Sequence, residues 1–185
     1  IDMLQPDELP SVLQSVGVAL GHLKDARALK PLAELRHHPD PRVRDGVVAG
    51  LLGRTEPDAV DALVDLSGDL EKSVRDWATF GIGLEIDTDT EAIREALYHR
   101  LCDPEEKIRH QAMLGLARRK DKIARKIIYK ELRRSEIIPI VLEAAEELGD
   151  PKLYPSLENV AERDIQDPLL QTLLERALEA CSGDE

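Results

Sequence analysis

Apolar residues recur along this chain at the spacing of one helix face, in three similar segments. Each segment has apolar or small residues at positions i, i+4, i+7 and i+8, and glycine always occupies i+7. The three sets are Val43, Val47, Gly50 and Leu51; Val74, Ala78, Gly81 and Ile82; and Ile108, Ala112, Gly115 and Leu116. The spacing predicts three amphipathic helices. Because mid-helix glycine costs about 1 kcal/mol relative to alanine, its recurrence indicates the close approach of a neighbouring helix backbone.

The three segments are copies at a fixed period, with offsets of 31 and 34 residues. A second apolar stripe, assigned to the first helix of each hairpin, recurs along the chain at offsets near 30 residues. Its members are Leu32 and Leu35, Leu63 and Leu66, Leu97 and Leu101, Ile128 and Leu132, and Leu157 and Val160. Such a period is typical of stacked helical hairpins. It predicts eleven or twelve helices in about six units, forming a single repeat domain over residues 1–185.

Helix starts and interruptions are also marked in the sequence. Asp-Pro pairs supply an N-cap acceptor and a proline at the first helical position. They begin at Asp40, Asp103, Asp150 and Asp167. Residues 85–90 are expected to form a loop that ends in an N-cap. Pro31 and Pro155 lie inside apolar helix patterns and should kink or delay those helices.

At this point the segment Lys24–Arg54 resembles a HEAT-like repeat of the type named for phycobilisome lyases. The resemblance rests on an aspartate, a helix with a Leu pair, an Asp-Pro turn, Val-Arg, and an Ala-rich helix ending in Leu-Gly. It extends over about residues 11–181, although Trp77 and Phe80 stand where that family has small residues. It implies an all-α fold: a right-handed α-α superhelix (α-solenoid) of about six HEAT-like hairpins. It does not specify a function, since one fold hosts many.

The chain is acidic, with a net charge of -12, which argues against general binding to nucleic acid or anionic membranes. The exception is segment 118–134, which contains nine Lys or Arg residues and only two acidic residues. We consider two interpretations: a solvated helix face paired with the acidic flanks, or a docking patch for an acidic peptide or nucleic acid. The basic candidates are Arg118, Arg119, Lys122, Arg125, Lys126, Lys130, Arg133 and Arg134.

An arginine follows the first apolar residue of each copy, and the only tryptophan, Trp77, lies beside one of them. If the units stack in register, these arginines form either an inter-repeat Arg–Asp ladder or a row that grips carboxylates of a partner. Trp77 is either a packing residue or a binding hot spot. The candidate partner-binding residues on the concave face are Arg44, Asp45, Arg75, Asp76, Trp77, Arg109, His110 and Gln111.

No motif indicates catalysis, a metal or a cofactor. The five histidines form no HExxH pattern, the Gly81–Gly83 GxG lies inside a helix pattern, and neither GxSxG nor a P-loop is present. We therefore expect no catalytic residues, no metal, no cofactor and no enzyme activity. Cys102 and Cys181 follow no ligand spacing and are interpreted as reduced, buried packing residues of a cytoplasmic protein.

The favoured function is a non-catalytic interaction scaffold for a protein or peptide, without membrane or nucleic-acid partners. The alternatives are a bilin-lyase-like chromophore-binding subunit, with arginines on propionates and Trp77 on pyrroles, and a HEAT-like alkylbase DNA glycosylase. An iron hydroxylase of the deoxyhypusine type is rejected because its His-Glu pairs are missing. No apolar run is long enough to span a bilayer, and we expect no signal peptide. Because the chain begins with Ile, we expect an excised fragment.

The last predicted helix, 167–181, has a broad apolar face. It either caps the array, pairs with a second copy, or docks a region outside this chain. The expected oligomeric state is a monomer.

Overall fold

The computed structural model describes Leu4 and residues 8–183, and all regular elements among them are helical. Eleven α-helices are present in this part of the chain, which confirms the all-α prediction. They are α1 (Pro10–Leu23), α2 (Leu29–Glu34), α3 (Pro41–Leu51), α4 (Pro57–Leu66), α5 (Lys72–Phe80), α6 (Glu91–Arg100), α7 (Glu106–Arg118), α8 (Ile123–Leu132), α9 (Pro139–Leu148), α10 (Tyr154–Ala161) and α11 (Pro168–Cys181). In the described ranges, no helix is both long enough and apolar enough to cross a membrane.

The helices group into two compact units, Ile1–Ile108 and Arg109–Glu185. In the first unit, α1, α3 and α5 pack side by side in one row, and α2, α4 and α6 form a second row. The helices α2 and α4 pack on α3 and α5, as expected for consecutive hairpins. The predicted apolar stripes lie in the core: Val43 and Val47 are 1% exposed, and Val74, Ala78 and Ile82 are fully buried.

In the second unit, α8 packs on α9 and α10, and α11 packs on α9 and α10. Ile128, Leu132, Leu157 and Val160 are buried, as the repeat phase predicts. The apolar face of α11 is covered within the unit, because Leu173, Leu174, Ala177 and Cys181 are buried there. Leu169, in the first turn of α11, remains 56% exposed.

Most predicted helix caps are present. The carboxylates of Asp40 and Asp167 accept the backbone N–H groups of Arg42 and Leu169, at 2.9 and 2.8 Å. The Asp150 carboxylate accepts the backbone N–H of Lys152 at the 3-10 turn before α10. Asp103 differs: it accepts the N–H of Glu105 at 3.0 Å, but α7 begins only at Glu106. Its carboxylate has a second role, described below.

The proline prediction is confirmed, and the predicted loop at residues 85–90 is confirmed from Ile86 onward, because Glu85 belongs to a helical turn. Pro31 and Pro155 each follow a 3-10 turn, so the two helices start late instead of kinking. Thr90 caps α6 by accepting the N–H of Ile93 at 3.2 Å. The sequence did not predict the π-helical turn at Gly81–Glu85, which extends α5 before the loop.

Close approach of a neighbouring backbone explains the recurring glycine at Gly50, as predicted, but not at Gly81. A Cβ on Gly50 would lie 2.8 Å from the backbone oxygen of Gly17 in α1, and 2.3 Å from the Leu32 side chain. A Cβ on Gly81 would meet only leucine side chains, the nearest atom being Leu52 Cδ2 at 2.9 Å. The close backbone approach is therefore a property of the α1–α3 contact.

One cysteine prediction is wrong. Cys181 is buried as expected, but Cys102 is exposed. Cys102 comes after the C-terminal end of α6, in the turn before Asp103, where the apolar stripe of α6 has already ended. The apolar run seen in the sequence thus extends past the part of the helix that faces the core.

Candidate functional site

Arg44, in the first turn of α3, is held by two sets of acceptors. Its Nε and Nη2 atoms donate to the two carboxylate oxygens of Asp69, at 2.6 and 2.8 Å. Its Nη1 donates to the backbone oxygens of His38 and Pro39, at 2.8 and 3.1 Å. The side chain is 15% exposed and that of Asp69 is 7% exposed. Arg44 therefore connects the turn before α3 to the turn before α5.

Arg75 repeats this arrangement one hairpin later. Its Nε and Nη2 atoms donate to Asp103, at 3.0 and 3.5 Å, and its Nη1 donates to the backbone oxygens of Asp69 and Leu70, at 2.9 and 3.0 Å. Arg100 adds a contact of 3.2 Å to the Asp103 carboxylate, whose side chain is only 1% exposed. Asp69 thus serves both arginines, with its carboxylate for Arg44 and its carbonyl for Arg75.

The pKa values of these aspartates reflect the ion pairs. Burial raises the pKa of Asp69, but hydrogen bonds from Arg44 and from the Glu71 N–H outweigh burial and hold the pKa below its ordinary value. Burial acts in the same direction on Asp103, and Arg75 together with the Glu105 N–H again lowers its pKa. Both carboxylates are therefore kept ionised in the folded protein.

Asp69 and Asp103 are thus the acceptors of the inter-repeat ladder in the first unit. Sequence analysis did not select Asp69 and interpreted Asp103 as a cap only. The signal for both was their phase: each lies in the turn that precedes a helix carrying the Val-Arg pattern or its Ile-Arg counterpart. Asp45 and Asp76, which follow the arginines in sequence, have other partners. The Asp45 carboxylate accepts from the Gln14 amide at 3.5 Å, and burial raises its pKa.

Trp77 lies at the surface of α5 with 48% of its area exposed. Its ring meets Phe80 edge-on, with centroids 5.7 Å apart and planes at 88°. The Lys107 ammonium lies 5.7 Å from the indole centroid and forms an ion pair of 2.8 Å with Asp76. We call Asp76, Trp77, Phe80 and Lys107 the Trp77 cluster. It combines an exposed aromatic ring with a fixed cation and anion.

The remaining candidates of the predicted face lie in the second unit. Arg109 is half-buried, whereas His110 and Gln111 are 6% and 4% exposed. The His110 Nε2 atom lies 3.4 Å from the Glu131 carboxylate. Because His110 and Gln111 are buried, their side chains do not present a surface to a partner.

The basic segment divides into engaged and exposed residues. Arg119 is buried and donates to the Gly115 carbonyl, Arg125 pairs with Asp150 at 2.7 Å, and Arg134 pairs with Glu131 at 2.8 Å. Arg118 is half-buried and also has an interaction partner. The exposed candidates that form no ion pair with a described residue are Lys122, Lys126, Lys130 and Arg133.

Comparison with known proteins identifies the repeat type. The family described as HEAT repeats matches residues 1–83. The X-ray structure of YibA from Escherichia coli aligns with 99% of this chain and 66% of its own length, at a TM-score of 0.85 and 22% identity. This chain is a HEAT-like repeat protein. A designed armadillo repeat protein, in complex with peptide (KR)4, aligns with 97% of the chain and 98% of its own length, at a TM-score of 0.69 and 19% identity.

Sequence comparison adds two relatives of this HEAT-like repeat protein. The YibA proteins of Escherichia coli strain K12 and strain O157:H7 are each 35% identical to it over 101 residues. The matched part is 55% of this chain and 36% of either relative. The chain therefore spans about a third of the length of the curated relatives it matches. The helices α3 and α5, which carry the Val-Arg pattern, are the second helices of their hairpins. The fold is an α-solenoid.

Proposed function

We propose that this HEAT-like repeat protein is a non-catalytic scaffold that binds a protein or peptide through the surface of α3 and α5, with Trp77 at the centre. The exposed indole is the observation that carries the proposal, because a half-exposed tryptophan gains about 25 cal/mol for each Å² of apolar surface that a partner covers. Tryptophan beside charged groups is also enriched among the residues that dominate binding energy.

The surroundings of Trp77 favour a role in binding over a role in packing. Phe80 supports one edge of the ring, and Lys107 is held above it by Asp76, so the ring has a fixed position before any partner arrives. A ring that is already ordered loses little entropy on binding. Asp45, on the neighbouring helix α3, adds a carboxylate to the same row of helices. This mixture suits a partner with an apolar side chain flanked by polar groups.

In this proposal, Arg44 and Arg75 position the surface and do not contact the partner. Their guanidinium groups are occupied by aspartates and backbone carbonyls, and their side chains are 15% and 12% exposed. Arg44 connects the turn before α3 to the turn before α5, and Arg75 connects the turn before α5 to the turn before α7. Arg109, His110 and Gln111 remain predicted contacts from the sequence, and the burial of the last two argues against that role.

The fold is suited to this task. A designed armadillo repeat protein of similar fold is in complex with a (KR)4 peptide, so helical repeats of this kind provide a surface for an extended chain. We extend only that capacity to this protein. A cytoplasmic location and a monomeric state belong to the same proposal, and the two free cysteines are typical of a reducing compartment.

The test uses site-specific photo-crosslinking in cells that express the chain. A benzophenone amino acid replaces Ser73, an exposed residue one turn before Trp77 on α5, so that Trp77 stays intact. The adduct is then compared in Trp77→Ala and Tyr98→Ala backgrounds. Tyr98 is the matched control, because it is 52% exposed but lies on α6, in the other row of helices.

We expect a discrete protein adduct that Trp77→Ala abolishes and Tyr98→Ala preserves. The purified partner should then shift the emission of Trp77, the only tryptophan of the chain. An adduct that persists without Trp77 would contradict the proposal. A pigment or nucleic-acid adduct would instead support one of the alternative functions.

A further inference from the structure

The surface of α8 and its two capping positions, here called the α8 face, carries four cations that no described residue neutralises. Lys122, Lys126, Lys130 and Arg133 are exposed, and none of them forms an ion pair with any described residue. Three of them are spaced by four residues, which places them along one face of the helix. In a chain with a net charge of -12, such a row is out of keeping with the rest of the surface.

The acids nearest in sequence do not neutralise this row. Asp121 accepts the backbone N–H of Ile123 at the start of α8, and Glu131 pairs with Arg134 and His110. The helix α10 packs on α8, and the acids Glu158 on α10 and Glu162 at its C-cap are exposed and form no ion pair with the row. The positive charge of the α8 face therefore remains open to solvent.

Two apolar side chains interrupt the row of cations. Ile123 and Tyr129 are each 45% exposed. The guanidinium of Arg133 lies 5.6 Å from the centroid of the Tyr129 ring. A face that combines cations with exposed apolar groups attracts acidic partners by charge and retains them by burial of apolar area.

We propose that the α8 face binds an extended acidic segment of a partner protein that carries at least one apolar residue. The row from Lys122 to Arg133 spans about 16 Å at 1.5 Å per residue, which corresponds to about five residues of an extended chain. This site lies in the second unit and is independent of the Trp77 cluster. Either site can fail its test without affecting the other.

An acidic peptide fits this face better than a nucleic acid does. The Tyr129 ring has Arg133 on it, so it does not offer the open stacking platform that single strands use. Residues 135–185 hold thirteen acids against three bases, and this charge repels a long phosphate backbone. A short acidic segment needs only the α8 face itself.

The test is a fluorescence-anisotropy titration of the full chain with three labelled probes. They are the peptide Glu-Glu-Leu-Glu-Glu-Leu-Glu-Glu, the same peptide with serine in place of leucine, and an oligo-dT single strand of comparable charge. Titrations run at about 50 mM salt and again at about 200 mM, since exposed charge pairs weaken with screening. Circular dichroism checks that each variant keeps its helicity.

We expect the leucine peptide to bind most tightly of the three probes. Lys126→Gln with Lys130→Gln should weaken its binding by about tenfold, since each exposed charge pair contributes modestly. The matched control, Lys24→Gln with Lys30→Gln, removes the same charge from exposed positions in the first unit and should change binding by less than about twofold. Tyr129→Ala should remove most of the advantage of leucine over serine.

Three results would overturn the proposal. The first is the absence of measurable binding of either peptide at low salt. The second is an equal loss in the two lysine double variants, which would show attraction to general charge only. The third is tighter binding of oligo-dT than of the leucine peptide, which would indicate a nucleic-acid surface.

Discussion

The Arg44 guanidinium and the Asp69 carboxylate form a two-point contact, with N–O distances of 2.6 and 2.8 Å, between turns that are 25 residues apart in sequence. The carbonyl of the same aspartate accepts from Arg75, which itself pairs with Asp103. Local turns are thereby coupled into a continuous chain of contacts through the first unit. The functional surface on α3 and α5 depends on this coupling, because Arg44 connects the turns that precede the two helices.

Removing one partner of the most buried pair should destabilise the first unit strongly. In Arg75→Met, the Asp103 carboxylate loses the Arg75 guanidinium and keeps its contacts with Arg100 and the Glu105 N–H, and the carbonyls of Asp69 and Leu70 lose Arg75 as a donor. We expect a loss of about 2–4 kcal/mol in the free energy of unfolding, measured by urea titration of Trp77 fluorescence. The control Arg42→Met removes a guanidinium that is 60% exposed and should stay within about 0.5 kcal/mol. Equal effects would refute the ladder as the stabilising element.

The same pairs predict acid sensitivity. The folded-state pKa values of Asp69 and Asp103 lie below the value of about 3.9 expected for an unfolded chain. Their contribution is therefore fully present above that value and is lost as the pH falls through it towards the folded-state pKa. Unfolding monitored between pH 7 and about 2 should show this decline, and Asp69→Asn should flatten it while lowering stability at pH 7. An unchanged slope in this variant would argue against Asp69 as a source.

The ionised Asp45 carboxylate should lower the stability of the folded protein, whereas the ionised Asp69 and Asp103 carboxylates raise it. Burial raises the pKa of Asp45, with only a partial offset from the Gln14 hydrogen bond, so its charged form is disfavoured in the folded protein. Asp45→Asn keeps a side-chain acceptor for Gln14 and should raise the free energy of unfolding at pH 7, but not below pH 4. If Asp45 contacts the partner, this more stable variant should bind it less well. Destabilisation at pH 7 would contradict the argument.

The close contact between α1 and α3 makes its glycines sensitive to a single methyl group. A Cβ on Gly46 would lie 2.6 Å from the Gln14 Cα and 2.9 Å from its carbonyl oxygen, which are backbone atoms that cannot rotate away. Gly46→Ala should therefore destabilise the first unit by about 2 kcal/mol or more, through separation of the helices. Gly68→Ala is the control, because its nearest neighbour would be Asp65 O at 3.4 Å. Thermal unfolding should separate the two variants clearly.

The two thiols should differ in reactivity under native conditions. Cys102 is exposed, whereas burial raises the pKa of the Cys181 thiol to about 11. A colorimetric thiol reagent at pH 8 should therefore modify one thiol quickly and the second only after denaturation, because the thiolate is the reactive form. Cys102→Ser should eliminate the fast phase. Rapid modification of both thiols in the native protein would show that α11 detaches readily from α9.

Particular residues show how far sequence reasoning reaches. Val43, Val74 and Ile108 gave the helix phase and the repeat, and the structure buries each of them. Asp40 and Asp167 gave two helix starts, and both cap as predicted. Cys102 shows the limit: an apolar neighbourhood in sequence does not reveal where a helix stops facing the core. His110 occupies the repeat position of Asp45 and Asp76, and Gln111 occupies the position of Trp77. The sequence therefore placed both on the binding face, but the structure buries both side chains.

The sequence by itself determined the helical period, several helix starts and the all-α repeat fold, because these depend on spacing and local capping within one helix. The tertiary structure decided which charges meet. Arg44 selects Asp69 over the adjacent Asp45, and Lys122, Lys126, Lys130 and Arg133 remain unpaired while Arg125 finds Asp150. An ion pair depends on distances of a few ångströms between residues from different hairpins. Packing of the hairpins sets those distances, and no periodicity along the chain encodes them.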